Sequence, residues 1–148
     1  MQERFETFTV LINRISRNIK KIKNQEMAEY NLRSAHISCL YYIYSLKGAT
    51  ATDLCERCEE DKATISRALE YLENSGYIMR DGGAKRYKSP ILLTEKGNEA
   101  GKKIADKIAG VLDAISGGLT EKERVAFYHS LLIISDSLEQ YGNGTRNK

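Results

Sequence analysis

The chain has no tryptophan, a single proline (Pro90) and no long apolar run. Its longest aliphatic stretch, Leu131–Ile134, is far too short to span a bilayer, which excludes a membrane partner of that kind. One proline and no extended glycine/serine tract argue against disorder or a flexible linker. Met1–Phe8 is polar, carries Glu3, Arg4 and Glu6, and is followed by no apolar core, so it does not read as an export leader. Three cysteines are an odd set, expected to be reduced thiols in a cytoplasmic protein. No Ser/His/Asp set, paired carboxylates or glycine-rich phosphate loop is present, so neither an enzyme nor a cofactor is expected.

What remains is ordinary globular material: 148 residues, enough for one well-buried domain, with 41% hydrophobic and 29% charged residues. A net charge of +3 does not by itself announce nucleic acid, so the placement of the basic residues has to decide.

Helical periodicity dominates. Phe5, Phe8, Ile12, Ile15, Ile19 and Ile22 are spaced 3-4-3-4-3. Such a stripe must bury against something, either its own domain or a second copy of the chain. A second helix is expected from Ser34 as N-cap, burying Ile37, Leu40, Tyr41 and Tyr44 and stopping near Gly48. A third follows from Thr50, with Asp53 at the reciprocal capping position. After a turn at Glu59–Asp61, Asp61 caps a fourth helix with Ile65, Ala68, Leu69 and Leu72 on one face, ended by Asn74-Ser75-Gly76. Tyr77–Arg80 and Ile91–Leu93 read as a β-hairpin, with Pro90 restricting the second strand to an edge. Thr94 caps a fifth helix bearing Ile104, Ile108, Val111 and Ile115. Gly117-Gly118 breaks it, and Thr120 with Glu123 starts a sixth, with Val125, Tyr128, Leu132 and Leu138 inward. The tail from Gly142 to Lys148 is expected to fray.

The segment 34–94 therefore holds a helix-turn-helix followed by a hairpin. On its second helix Ile65, Leu69 and Leu72 anchor one side. Lys62, Thr64, Ser66 and Arg67 leave the other polar and short enough for a major groove, where the helix N-terminus also favours phosphate. Arg80, Lys85, Arg86 and Lys88 face a single acid, Asp81, in a loop that Gly82-Gly83 lets project. Such a loop is either a solvated turn or a basic wing lying along a DNA backbone or minor groove. The candidate DNA-binding residues are Ser34, His36, Thr50, Lys62, Ala63, Thr64, Ser66, Arg67, Lys85, Arg86 and Lys88. His36 is either a capping or surface histidine or a donor to phosphate.

The stretches Asp53-Leu54-Cys55-Glu56-Arg57-Cys58, Asp61-Lys62-Ala63-Thr64-Ile65-Ser66-Arg67, Leu72-Glu73-Asn74-Ser75-Gly76-Tyr77-Ile78 and Leu93-Thr94-Glu95-Lys96-Gly97 resemble the MarR family of transcription regulators. The resemblance implies a mainly α fold with a small β-hairpin, a winged helix-turn-helix core (34–94) flanked by long dimerisation helices (1–30 and 95–141), within a single MarR-like domain (1–148). It also implies a homodimer that binds pseudo-palindromic double-stranded DNA as a repressor. A small-molecule inducer is implied as a further partner, in a cleft that here could involve Arg14, Tyr30, Tyr41 and Tyr44. The acid that family members carry in the wing falls at Lys85, followed by Arg86 and Tyr87, so the usual wing ion pair is absent or is replaced through Asp81.

Cys55-x-x-Cys58, with His36 and Cys39, has the look of a zinc set, but both pairs fall on helices, and the three cysteines occupy apolar core positions of the family. They are expected to be buried thiols, with no metal. Peroxide sensors of the family carry their reactive cysteine in the first helix, which has none here. The alternative to DNA binding is a winged-helix module that binds protein. That would place apolar residues where Lys62–Arg67 stand.

Overall fold

The computed structural model describes residues 2–58, 60–81, 83 and 87–146. Six helices and a two-stranded hairpin follow in the order α1 (Gln2–Glu26), α2 (Ser34–Leu46), α3 (Ala51–Cys58), α4 (Lys62–Asn74), β1 (Ile78–Met79), β2 (Leu92–Leu93), α5 (Glu95–Ser116) and α6 (Glu121–Arg146). A single 3-10 turn, Ala28–Tyr30, joins α1 to α2. The chain divides into two compact units, Met1–Lys107 and Ile108–Lys148. No helix among the described residues is long and apolar enough to cross a membrane.

In the first unit α2 is the central rod. It contributes Ile37, Cys39, Leu40 and Ile43 to a core completed by Met27, Leu32, Leu54, Ile65, Leu69, Leu72, Ile78, Ile91 and Ile104. Cys39 and Ile43 take places expected for Tyr41 and Tyr44, which are only half-buried. A rod covered from several directions buries more than one stripe, and the smaller or β-branched side chains fit nearest the neighbouring helices. The cap also differs from expectation. Arg33, not Ser34, is the N-cap of α2, and its backbone N–H donates to Nδ1 of His36 at 3.0 Å. Ser34 instead donates its backbone N–H to Asn24 Oδ1 at 2.7 Å.

The remaining starts follow the reciprocal caps. Thr50 N–H donates to Asp53 Oδ2 (2.9 Å), and Asp53 N–H to Thr50 Oγ1 (3.3 Å). Thr64 N–H donates to Asp61 Oδ1 at 2.6 Å. Gly97 N–H donates to the Thr94 hydroxyl at 3.0 Å. α4 ends where Gly76 takes φ +80°, the left-handed region that glycine enters without a steric penalty.

The hairpin is antiparallel, with Ile78 opposite Leu93 and Met79 opposite Leu92, shorter than expected at both ends. Beyond Pro90, the Ile91 N–H donates to the Ala49 carbonyl at 2.9 Å, so this stretch has a partner beside the one β1 supplies. α5 closes over the hairpin at Gly97, where an added methyl would run into the Tyr77 carbonyl oxygen. α5 buries only its first half: Gly97, Ala100, Gly101 and Ile104 are covered, Ile108 and Val111 half-covered, and Ile115 exposed.

In the second unit, Thr120 and Glu123 form the expected reciprocal cap of α6, at 2.8 and 3.2 Å. Two expectations fail there. The helix runs on through Gly142 to Arg146 where fraying was expected, and Val125, Tyr128, Leu132 and Leu138 are exposed in the single chain. In α1, Ile12, Ile15 and Ile19 are likewise exposed, while Phe8 and Ile22 are half-covered. The side chain of Phe5 lies outside the described set.

Candidate nucleic-acid interface

α4 divides its faces as a recognition helix requires. Ile65, Ala68, Leu69 and Leu72 are buried, each 3% exposed or less, and hold the helix against α2 and α3. Opposite them Lys62, Ala63 and Arg67 are exposed, and Thr64 and Ser66 half-exposed. Asp61 sits under this face as the cap. Hydrogen bonds from the Thr64 backbone and then the Thr64 hydroxyl hold its carboxyl below the usual carboxylate value. The Arg67 guanidinium in turn donates to the Thr64 hydroxyl oxygen at 3.3 Å. Asp61, Thr64 and Arg67 thus form a connected row one turn long, which restrains the arginine before any ligand arrives.

Lys62 meets the wing. Its ammonium lies 4.9 Å from the Tyr87 ring centroid, a cation–π distance. Sequence reasoning passed over Tyr87, whose only signal was an aromatic within a basic loop. Lys88 is exposed beside it. Lys85 and Arg86, the other expected wing contacts, lie outside the described residues.

Ser34, His36 and Thr50 belong to the supporting helices and are half-exposed. The hydroxyl of Thr50 already donates to Asp53 Oδ2 at 3.1 Å within its own cap. His36 stacks on Tyr71 of α4, with centroids 4.3 Å apart and planes inclined by 21°. Burial first, and the Arg33 charge second, pull its imidazole below the ordinary 6.5. Because Nδ1 accepts the Arg33 N–H, the neutral ring carries its proton on Nε2. Tyr71, also unforeseen, donates its hydroxyl proton to the Asn31 carbonyl at 2.9 Å.

The residues considered for a ligand are dispersed in their contacts. Arg14 is exposed on α1. The Tyr30 hydroxyl accepts from Lys103 at 2.9 Å, and the Tyr41 ring packs edge-on against Tyr42. Tyr44 lines an open cavity of about 540 Å³ with Ile43, Lys47, Ile91, Leu92 and Asn98. The thiols are less uniformly buried than expected: Cys39 is fully covered, Cys55 and Cys58 only partly. Among the described residues no three His, Cys, Asp or Glu side chains are placed to hold a metal ion.

A two-helix reader held over a hairpin wing, with its polar face at a helix N-terminus, defines a winged helix-turn-helix protein. The MarR family model matches residues 30–86, which take in α2 to β1 and stop just short of Tyr87 and Lys88. The chain is 22% identical over 118 residues to the uncharacterised HTH-type transcriptional regulator YwoH of Bacillus subtilis, covering 80% of this chain and 86% of that one. It is 27% identical over 116 residues to an uncharacterised HTH-type transcriptional regulator of Bacillus cereus, covering 78% of each. Among solved structures, the fold matches Staphylococcus aureus MepR in complex with DNA (TM-score 0.77, 22% identity, 88% of this chain and 97% of that one). It also matches the MarR family regulator NMB1585 of Neisseria meningitidis (TM-score 0.79, 18% identity, 98% and 99%). The family model over residues 30–86, these relatives and the solved structures together support a MarR-family winged-helix regulator.

Proposed function

We propose that the protein is a repressor that binds a pseudo-palindromic operator as a homodimer. The observation that carries this reading is the outward face Lys62–Arg67 over a fully buried Ile65 and Leu69. A rigid helix with two cations and hydroxyls near its N-terminal end can meet base edges and phosphates together. Arg67 is the base-reading candidate. Lys62, Lys85, Arg86 and Lys88 are the phosphate and minor-groove contacts, and His36 Nε2–H is a phosphate donor.

Dimerisation rests on the apolar side chains that α1, the end of α5 and α6 each leave open. Ile15 is 48%, Leu132 61% and Leu138 59% exposed in the single chain. Each such side chain gains about 1.5–3 kcal/mol on full burial, so helix faces bearing several of them are costly to leave in water. A self-complementary pairing would set two recognition helices about one DNA turn apart, roughly 10 bp. A DNA partner fits a cytoplasmic location. A small-molecule inducer would act by preferring a spacing of the two helices that DNA does not fit.

The test is a gel shift of the full chain on duplex DNA from upstream of its own coding sequence, with excess unrelated duplex as competitor. A retained shift that Arg67→Ala weakens supports the reading. A shift abolished by the competitor, or none at all, removes it and leaves a protein-binding module.

A further inference from the structure

Among the described residues the hairpin has only two rungs, Ile78 opposite Leu93 and Met79 opposite Leu92. The chain leaves this ladder after Met79 and rejoins it at Leu92, so strand pairing gives the wing between them no support. A paired stretch this short is marginal, and it cannot fix where the far part of the loop stands. The setting of the wing against α4 therefore depends on side chains. Tyr87 supplies one such contact: its ring centroid lies 4.9 Å from Nζ of Lys62, the first residue of α4.

Core packing does not bring the two together, because Tyr87 is 46% exposed and Lys62 is exposed as well. The electrostatics do. A cation at the first helical position stands at the positive end of the helix dipole, where its charge is disfavoured. The first turn of α4 carries no acidic side chain, and the capping carboxylate of Asp61 is already engaged by the Thr64 N–H. The electron-rich face of an aromatic ring answers that need from outside the helix. An ammonium carries three N–H bonds, so a ring on one side leaves the others open to a phosphate oxygen.

We infer that Tyr87 is a positioning residue of the DNA interface: its ring holds the Lys62 ammonium and thereby ties the wing to the start of α4. The two DNA-contacting elements are then set at one spacing before the duplex arrives. The inference rests on the DNA-binding reading above and deepens it. Lys62 serves twice, as a phosphate contact and as the anchor of the wing. Tyr87 acts through its ring face, so the hydroxyl is not the group that matters. Without the ring, the wing has to be ordered during binding, which lowers affinity for every sequence alike. No charge is lost with it, so the dependence on salt stays the same.

The test combines a spectroscopic readout on the free protein with a double-mutant cycle on DNA. In NMR spectra of the full chain, the ε-methylene protons of Lys62 are expected upfield under the Tyr87 ring. That displacement should persist in Tyr87→Phe and vanish in Tyr87→Leu. Binding is measured on a duplex from upstream of the chain's own coding sequence and on an unrelated duplex, at several salt concentrations. Tyr87→Leu is expected to weaken both about two- to fivefold, the worth of an exposed cation–π contact, with an unchanged salt slope. Tyr87→Phe should regain most of that loss. In Lys62→Met, which itself lowers the slope by about one, adding Tyr87→Leu should cost almost nothing more.

Additive losses in the cycle, or Tyr87→Phe as weak as Tyr87→Leu, would overturn the inference and make Tyr87 an independent DNA contact through its hydroxyl. Lys62 ε-protons at ordinary positions in the free protein would overturn it too. Failure of the two readings is distinguishable. Upfield Lys62 protons in a chain that binds neither duplex would keep the tie between wing and helix and reject DNA binding. Specific binding with no coupling between Lys62 and Tyr87 would keep DNA binding and reject the tie.

Discussion

The His36 ring lies on the Tyr71 ring at 4.3 Å and joins the first turn of α2 to the last turn of α4. It does so as a neutral ring whose Nδ1 caps α2 through the Arg33 N–H. Its proton affinity in the fold is lowered, by burial and then by Arg33. The unfolded chain therefore binds this proton more readily than the folded one. Stability from His36 is whole above the ordinary value of 6.5, and is lost as pH falls through that value toward the lowered one. Melting followed by circular dichroism from pH 7.5 to 5 should show a falling Tm that His36→Gln partly flattens. Identical slopes in both proteins would contradict this role.

Two glycines of α5 should respond to alanine with opposite signs. A methyl at Gly97 meets the Tyr77 carbonyl oxygen, which already accepts the Thr94 N–H at 3.1 Å, so Gly97→Ala should cost about 1–3 kcal/mol. Gly110 has nothing within 4 Å of a built Cβ, so Gly110→Ala should add up to about 1 kcal/mol through helix propensity. Urea unfolding of both variants checks the pair. Equal effects would show that helix propensity, not the close approach at Tyr77, governs α5.

Arg67 and Lys88 should fail differently on DNA. Losing Arg67 at a base edge should cost about 1–3 kcal/mol and relax preference at one operator position. Losing the exposed Lys88 should weaken binding to every sequence and lower the slope of log K against log salt by about one. Anisotropy titrations at several salt concentrations, on operator and scrambled duplexes, separate the two. Equal loss on both duplexes for Arg67→Ala would assign it to phosphate instead.

Ile15→Lys on α1 and Leu132→Lys on α6 place a charge on surfaces proposed to pair. Sedimentation should show wild type as a dimer and each variant shifted toward monomer, with the helical signal retained because both positions are exposed in the single chain. A wild-type monomer would remove the paired-helix arrangement.

The helix starts were readable because their chemistry is local: Thr50 with Asp53, Asp61 with Thr64, Thr94 with Gly97 and Thr120 with Glu123 each close within three residues. The buried face of α4 was readable for the same reason, its four apolar positions recurring at helical spacing. The start of α2 escaped because its acceptor is an imidazole stacked on a tyrosine 35 positions away, where Ser34 offered the familiar pattern. Tyr41 and Tyr44 were misjudged because α2 is covered from more than one side, which a single stripe does not encode. The Tyr87–Lys62 contact depends on how separate elements meet in space.

The most direct measurement is fluorescence anisotropy of the full chain on a labelled duplex from upstream of its own coding sequence, titrated in excess unrelated DNA and repeated with Arg67→Ala. The account predicts saturation at two protomers per duplex that survives the competitor, with the variant weakened on this duplex and little changed on the unrelated one. Binding that the competitor erases, or a variant indistinguishable from wild type, would contradict it.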